Sequence, residues 1–190
     1  MPRPLVSVRR VDETLRPALT ELWVSNRVDS GTTPEAANRM VADGSVASAL
    51  DRTEVCAFVA LADEEPVGYV VLSDSTVNAL VDTPCVAIDQ LFVVPESRRH
   101  GVARQLLAAA ASYAHRIGAD QIASNVPSHI RDANRFFARL GFTPTVVRRV
   151  TTTDALHRKL AGSRVPRHSL EQVLQRRRTA RVRAAHRASA

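Results

Sequence analysis

Between Ile88 and Leu107 the chain sets an apolar strand-like run, a proline, a cationic loop with one glycine, and a helix with apolar residues at spacings of three and four. That order builds an anion site. The first turn of a helix leaves backbone N–H groups without intrahelical partners, and the helix dipole adds about half a positive charge there. Arg98, Arg99, His100 and Arg104 add charge around Gly101, while Val102 and Ala103 open the helix. A phosphate or pyrophosphate suits such a pocket. Metal chemistry is not indicated, because no Cys/His spacing matches a ligand set. Cys56 and Cys85 lie in apolar strand-like runs and are expected to be buried, reduced thiols.

The elements that position this loop follow from periodicity. Leu5 to Val11 reads as a short strand, and Asp12 as the cap of a helix carrying Leu15, Leu19, Leu22 and Trp23. A polar stretch, Asn26 to Thr33, leads to a second helix opened by Thr33 and Pro34. Glu54 to Ala62 and Val67 to Ser73 form an antiparallel hairpin, Asp74 to Pro84 a loop, and Cys85 to Val94 the central strand. The following helix stripes Leu106, Leu107, Ala110, Ala114 and Ile117 on one side and ends at Gly118. Gln121 to Val126 is then a strand, Asp132 to Leu140 a helix, and Thr145 to Thr152 a last strand. The order βααβββαβαβ implies a mixed α/β (α+β) fold with helices on both faces of one sheet.

The net charge of +7 is uneven. Residues 1–150 hold 16 Arg against 17 Asp and Glu, a balance of −1, whereas residues 151–190 hold 9 Arg and 1 Lys against 2 acids, a balance of +8. Two domains are therefore expected: 1–152, and a basic helical extension, 153–190. With 25 Arg and the single Lys159, the composition suggests a GC-rich genome, which weakens functional arguments from individual arginines. No apolar run approaches the ~20 residues of a membrane-spanning helix, and no signal-peptide pattern opens the chain, so the expected location is cytoplasmic.

Arg98, Gly101 and Ala103 fill the pattern of Arg or Gln, two residues, Gly, one residue, Gly or Ala. The run Leu91-Phe92-Val93-Val94-Pro95 precedes it, and Ala133-Asn134-Arg135-Phe136-Phe137-Ala138-Arg139-Leu140-Gly141-Phe142 follows. Together these resemble the GNAT superfamily of acetyl-CoA-dependent N-acetyltransferases, over roughly residues 5 to 150. The resemblance implies a mostly antiparallel central sheet and acetyl-CoA as cosubstrate. It also places the coenzyme: pyrophosphate on the backbone of Arg99 to Arg104, pantetheine along the main chain of Leu91, Phe92 and Val93, and contacts from Asn134 and Phe137.

In that family an amine attacks the thioester directly, so the amine needs a base and the thiol benefits from an acid. Asp89, the carboxylate of the central strand, is the candidate base, on Leu91's face by period two unless a bulge turns it. The family's tyrosine acid is replaced by Phe137, which cannot donate a proton, and Ser128 and His129 are the candidates to substitute for it. Acceptor walls are expected from Asn26 to Thr33 with Trp23 behind, and from Asp74 to Pro84, where Asp29, Asp74 and Asp82 could draw a cationic amine. The expected activity is acetylation of a primary amine on a small molecule or protein. Two other readings compete: an inactive acyl-CoA-binding regulator, and a nucleic-acid- or ribosome-tethered protein acetyltransferase using Arg176, Arg177, Arg178, Arg181, Arg183 and Arg187. The tail lacks aromatic residues for base stacking, which favours a solvated helix or one that packs against a second protomer in a homodimer.

Overall fold

A computed structural model describes residues 5–78, 81–127, 129–145 and 149–162. The chain forms two compact units, Met1–Phe142 and Thr143–Ala190. The first holds β1 (Val6–Arg10), α1 (Arg16–Asp29), α2 (Pro34–Ala42), α3 (Ser45–Leu50), β2 (Val55–Ala62), β3 (Glu65–Asn78), β4 (Val81–Val93), α4 (Val102–Arg116), β5 (Gln121–Ser124) and α5 (Arg131–Arg139). The second holds α6 (Thr153–Gly162), whose first turn is capped by the Thr152 hydroxyl accepting from the Ala155 N–H at 3.2 Å.

The five strands lie in chain order, antiparallel from β1 to β4, with β5 parallel to β4. Each face carries its own core. On one, Leu19, Leu22 and Trp23 of α1 pack on Ala57, Val59, Leu61, Tyr69 and Phe92. On the other, Val102, Leu106, Ala110, Tyr113 and Ala114 of α4, with Phe137 of α5, cover Phe58, Val70, Leu72, Val86 and Ile88. The central strands are therefore buried on both sides, which is why β2 reads as a continuous apolar run rather than an alternating one.

Local chemistry explains most boundaries. Thr33 accepts from the Ala36 N–H at 3.3 Å and Pro34 takes the first helical position of α2. Asp12 caps the turn entering α1 by accepting from the Thr14 and Leu15 N–H groups, both at 3.1 Å, rather than serving as the cap residue itself. Asp63 and Glu64, with φ of 49° and 68°, make the tight turn between β2 and β3.

Four expectations change. Asp74 to Pro84 is strand at its described residues: β3 runs to Asn78 and β4 begins at Val81, pairing Asp74 with Val86 and Thr76 with Pro84. Pro84 is tolerated because β5 joins only from Cys85 onward, so its missing N–H interrupts no ladder on that side. The run Thr145 to Thr152 forms no strand at its described residues, and Ser45–Leu50 adds a helix that weak periodicity hid. Tyr113 rather than Ile117 completes the buried stripe of α4, with Ile117 43% exposed. Cys56 and Cys85 are buried and unpaired, and burial pushes the Cys56 thiol pKa up. Among the described residues no helix is long and apolar enough to cross a membrane. The basic segment 163–190, with its six singled-out arginines, lies outside the described residues.

Gly68 sets the spacing of β3 and β4. A Cβ there would stand 2.7 Å from the Phe92 carbonyl oxygen and 3.3 Å from Val93 Cα. Gly68→Ala should therefore pry β3 from the end of β4 and cost about 1–3 kcal/mol, seen as a lower urea midpoint; an unchanged midpoint would contradict this packing.

Candidate active site

Strand β4 outruns its parallel neighbour. The pairing runs from Cys85 with Gln121 to Ile88 with Ser124, where β5 ends, while β4 continues to Val93. The parted strands open a cleft of about 530 Å³. Ile88, Asp89, Gln90, Leu91 and Val93 form one wall, Ser124 to Pro127 with Ile130, Ala133, Phe136 and Phe137 another, and Asn26, Arg27 and Ser30 at the end of α1 a third. Ala103, in the first turn of α4, closes the end.

The exposed edge of β4 can be read from its neighbours. The Val94 N–H donates to the Val67 carbonyl, so residue 94 faces β3, and by alternation Leu91 and Val93 turn their peptide groups toward the gap. Phe92 then faces β3, and its ring goes to the α1 core beside Tyr69.

A bulge sits where the strands part. Val71 pairs with Gln90 and Leu72 with Ile88, leaving Asp89 as the extra residue. Ile88 and Leu91 both pack toward the α4 side, so simple alternation fails between them and Asp89 does not take Leu91's face by period two. Its carboxylate is exposed in the cleft. Gln90 is held from the side: the Tyr69 hydroxyl donates to Gln90 Oε1 and accepts from Asn26 Nδ2, both at 2.7 Å. Tyr69 is fully buried, and desolvation raises its pKa to about 12.

The basic loop is shaped by backbone more than by charge. Arg99 and Gly101 both have positive φ, 66° and 89°, and nothing lies within 4 Å of a Cβ built on Gly101. Glycine is thus suited to the left-handed conformation rather than forced by a neighbour. The N–H groups of residues 99–103 have no main-chain acceptor among the described residues, whereas that of Arg104 already donates to the Gly101 carbonyl at 3.0 Å. Arg98 turns back: its Nε donates to the Val93 carbonyl at 2.9 Å, and its terminal nitrogen meets Asp29 at 2.7 Å. The side chains of Arg99, His100 and Arg104 are exposed, and that of Val102 is buried in the α4 core.

Several expected residues sit elsewhere. Asn134 does not line the cleft; its amide donates to the Pro127 and Ile130 carbonyls, at 3.0 and 2.8 Å, and braces the loop into α5. Phe137 does line it, edge-on to Phe142 at 5.0 Å. Asp29 is paired with Arg98, and Asp74 accepts from the Tyr113 hydroxyl at 3.1 Å. His129 is not a lining residue, and Ser128 and the Asp82 side chain lie outside what is described. The expected wall from Asn26 to Thr33 contributes Asn26, Arg27 and Ser30 to the cleft, whereas sequence reasoning missed Tyr69 and Gln90. The only available signal was a tyrosine and a glutamine inside otherwise apolar strands, where a buried polar group requires a partner.

The model of the acetyltransferase (GNAT) family matches residues 16–142. The aminoglycoside N(6')-acetyltransferase type 1 of Salmonella typhimurium is 30% identical over 98 residues, 50% of this chain and 68% of that protein. Among solved structures, an aminoglycoside N-acetyltransferase, AAC(6')-Iy, in complex with CoA superposes with a TM-score of 0.65 at 24% identity, covering 79% of this chain and 95% of that one. A ribosomal-protein-alanine N-acetyltransferase from Brucella melitensis biovar Abortus 2308 gives 0.64 at 16% identity, covering 78% and 99%. At these identities the superpositions establish the fold.

The buried Tyr69 phenol makes a pH prediction. Its folded pKa, about 12, exceeds the unfolded value near 10, so its contribution is complete below pH 10. Stability should fall as pH rises from 10 to 12, because the unfolded chain releases this proton first. Tyr69→Phe should flatten that fall in urea titrations and lower stability at neutral pH by about 1–3 kcal/mol, from the orphaned Asn26 and Gln90 amides.

Proposed function

Because this chain belongs to the GNAT family of acetyltransferases, we propose that it transfers the acetyl group of acetyl-CoA to a primary amine, with the cleft beside β4 as its active site. The observation that carries this reading is the parting of β4 from β5 at Asp89. It leaves an open strand edge followed, after the turn at Pro95–Ser97 and the basic loop, by a helix start where the N–H groups of residues 99–103 have no main-chain acceptor among the described residues. The residues present fit the coenzyme. Leu91 and the Val93 N–H offer main-chain groups to the amides of a pantetheine arm, as an added strand would meet them. The Val93 carbonyl already accepts one hydrogen bond, from Arg98 Nε. The five N–H groups of 99–103 and the α4 dipole favour a pyrophosphate. Phe136, Phe137 and Ile130 supply the apolar flank.

When bound, the coenzyme supplies a thioester-activated acetyl group. The protein's part is to bring the amine there as a free base. Asp89 lies in the cleft at the bulge and takes the ammonium proton, directly or through water. No protein acid is assigned to the thiol. Phe137 has no proton to give, and the Tyr69 hydroxyl is committed on both sides with its pKa near 12. A thiolate, with a thiol pKa near ~8.5, leaves acceptably without help. Arg98 acts through position: it joins the end of β4 to Asp29 on α1, so the coenzyme loop and the acceptor wall are one framework.

Acetyl-CoA at millimolar concentration should raise the melting temperature, and thiol release should appear across a panel of amines. Asp89→Asn should lower kcat/KM by about 10²-fold at pH 7, with the deficit narrowing as pH approaches the acceptor's own pKa. Absence of coenzyme stabilisation would overturn the acetyltransferase reading, whereas stabilisation without thiol release would favour a coenzyme-binding regulator.

A further inference from the structure

Among the described residues Arg27 is a cation without a counter-ion. It lines the cleft in the last turns of α1, half-buried, with its guanidinium 5.8 Å from the Trp23 ring centroid. Its Nε is buried with no hydrogen-bond partner, and no ion pair or hydrogen bond involves the side chain among the described residues. Removing a guanidinium from water is unfavourable unless an anionic oxygen meets it. The nearest carboxylate in sequence, Asp29, is engaged by Arg98 at 2.7 Å.

The rest of the wall sharpens the point. Gln90 Oε1 already accepts from the Tyr69 hydroxyl, and its Nε2 amide adds two donors to the wall. Arg27 only donates. Among the described lining residues Asp89 is the one carboxylate. A polycation would therefore meet a single acidic group and an uncompensated guanidinium. An amine that also bears an anionic oxygen would meet one complementary charge for each end.

We infer that the acceptor is an amine carrying a carboxylate, with its nitrogen toward Asp89 and its carboxylate oxygens received by Arg27. This rests on the acetyl-transfer reading of the cleft. The coenzyme phosphates are the other source of anionic oxygen, but position opposes them. Asn26, next to Arg27, is bonded through Tyr69 to Gln90, which places this turn beside the Asp89 bulge. The phosphate-binding loop is instead tied to α1 further on, at Asp29.

The test uses the full chain and a thiol-release assay with amino acids and dipeptides, their C-terminal amides, and polyamines. Arg27→Met keeps the aliphatic stem over Trp23 and removes the charge. It should raise KM for carboxylate-bearing acceptors by about 10- to 100-fold, leave KM for the amides within about 3-fold, and leave KM for acetyl-CoA unchanged. Should Arg27→Met fail to fold, Arg27→Lys is the second variant, with a several-fold KM increase confined to the carboxylate acceptors. Preference for polyamines, a KM increase for acetyl-CoA, or equal effects on acids and amides would overturn the assignment. So would acetyl-CoA stabilisation with no turnover of any carboxylate-bearing amine, whereas loss of acetyl-CoA stabilisation in the unaltered protein would overturn the acetyltransferase reading beneath it.

Discussion

The parallel pairing of β4 with β5 stops at Ile88 and Ser124 while β4 runs on to Val93, and the organisation of the site depends on that mismatch. A central strand with partners on both sides has no main-chain groups to spare. Here one strand has a partner on only one side over its last residues, and α5 and the loop from Ser124 to Pro127 keep the gap from closing. The bulge at Asp89 falls at the same level, so the residue that leaves the ladder is the ionisable one. A strand edge of this kind invites pairing. It is covered on its flanks by Phe136, Phe137 and Ile130 rather than by another strand.

The second organising feature is how α1 is held to β4. Asn26, Tyr69 and Gln90 make one link through the sheet, and Asp29 with Arg98 makes another at the far end of the strand. The two differ in kind. The first is built on a fully buried hydroxyl, where a lost partner leaves polar groups unsatisfied. The second joins side chains that are 45% and 41% exposed, so it contributes at most about 1 kcal/mol to stability and serves mainly to orient Arg98 against the Val93 carbonyl. The motif arginine is thus a brace of the framework, and the proposed pyrophosphate site rests on backbone N–H groups and the α4 dipole rather than on this side chain.

The sequence disclosed what local chemistry controls. The β2–β3 hairpin, the Thr33-Pro34 helix start, the β4-loop-α4 unit around Gly101 and the two-faced sheet were legible from strand-forming runs, caps and apolar period. Pairing was not. Asp74 and Pro84 read as loop signals, yet the ribbon of β3 and β4 accommodates both because pairing on one side outweighs their local preference. The run at 145–152 has strand-like composition but adds no strand to the sheet at its described residues. Period two also misplaced Asp89, since a bulge is a property of two strands rather than one. Tyr69 stayed hidden because its interest comes from what surrounds it in space, a buried amide pair, and for Arg27 the sequence offered only its stretch of the acceptor wall.

The central claim is that coenzyme lies along the open edge of β4 and ends on the first turn of α4. Amide hydrogen exchange with and without CoA measures this most directly. The account predicts that CoA slows exchange at Leu91, Val93 and residues 99–103, while amides of β3 in the same sheet keep their rates. Binding of CoA with protection elsewhere, and none at Leu91, Val93 and the loop before α4, would contradict it.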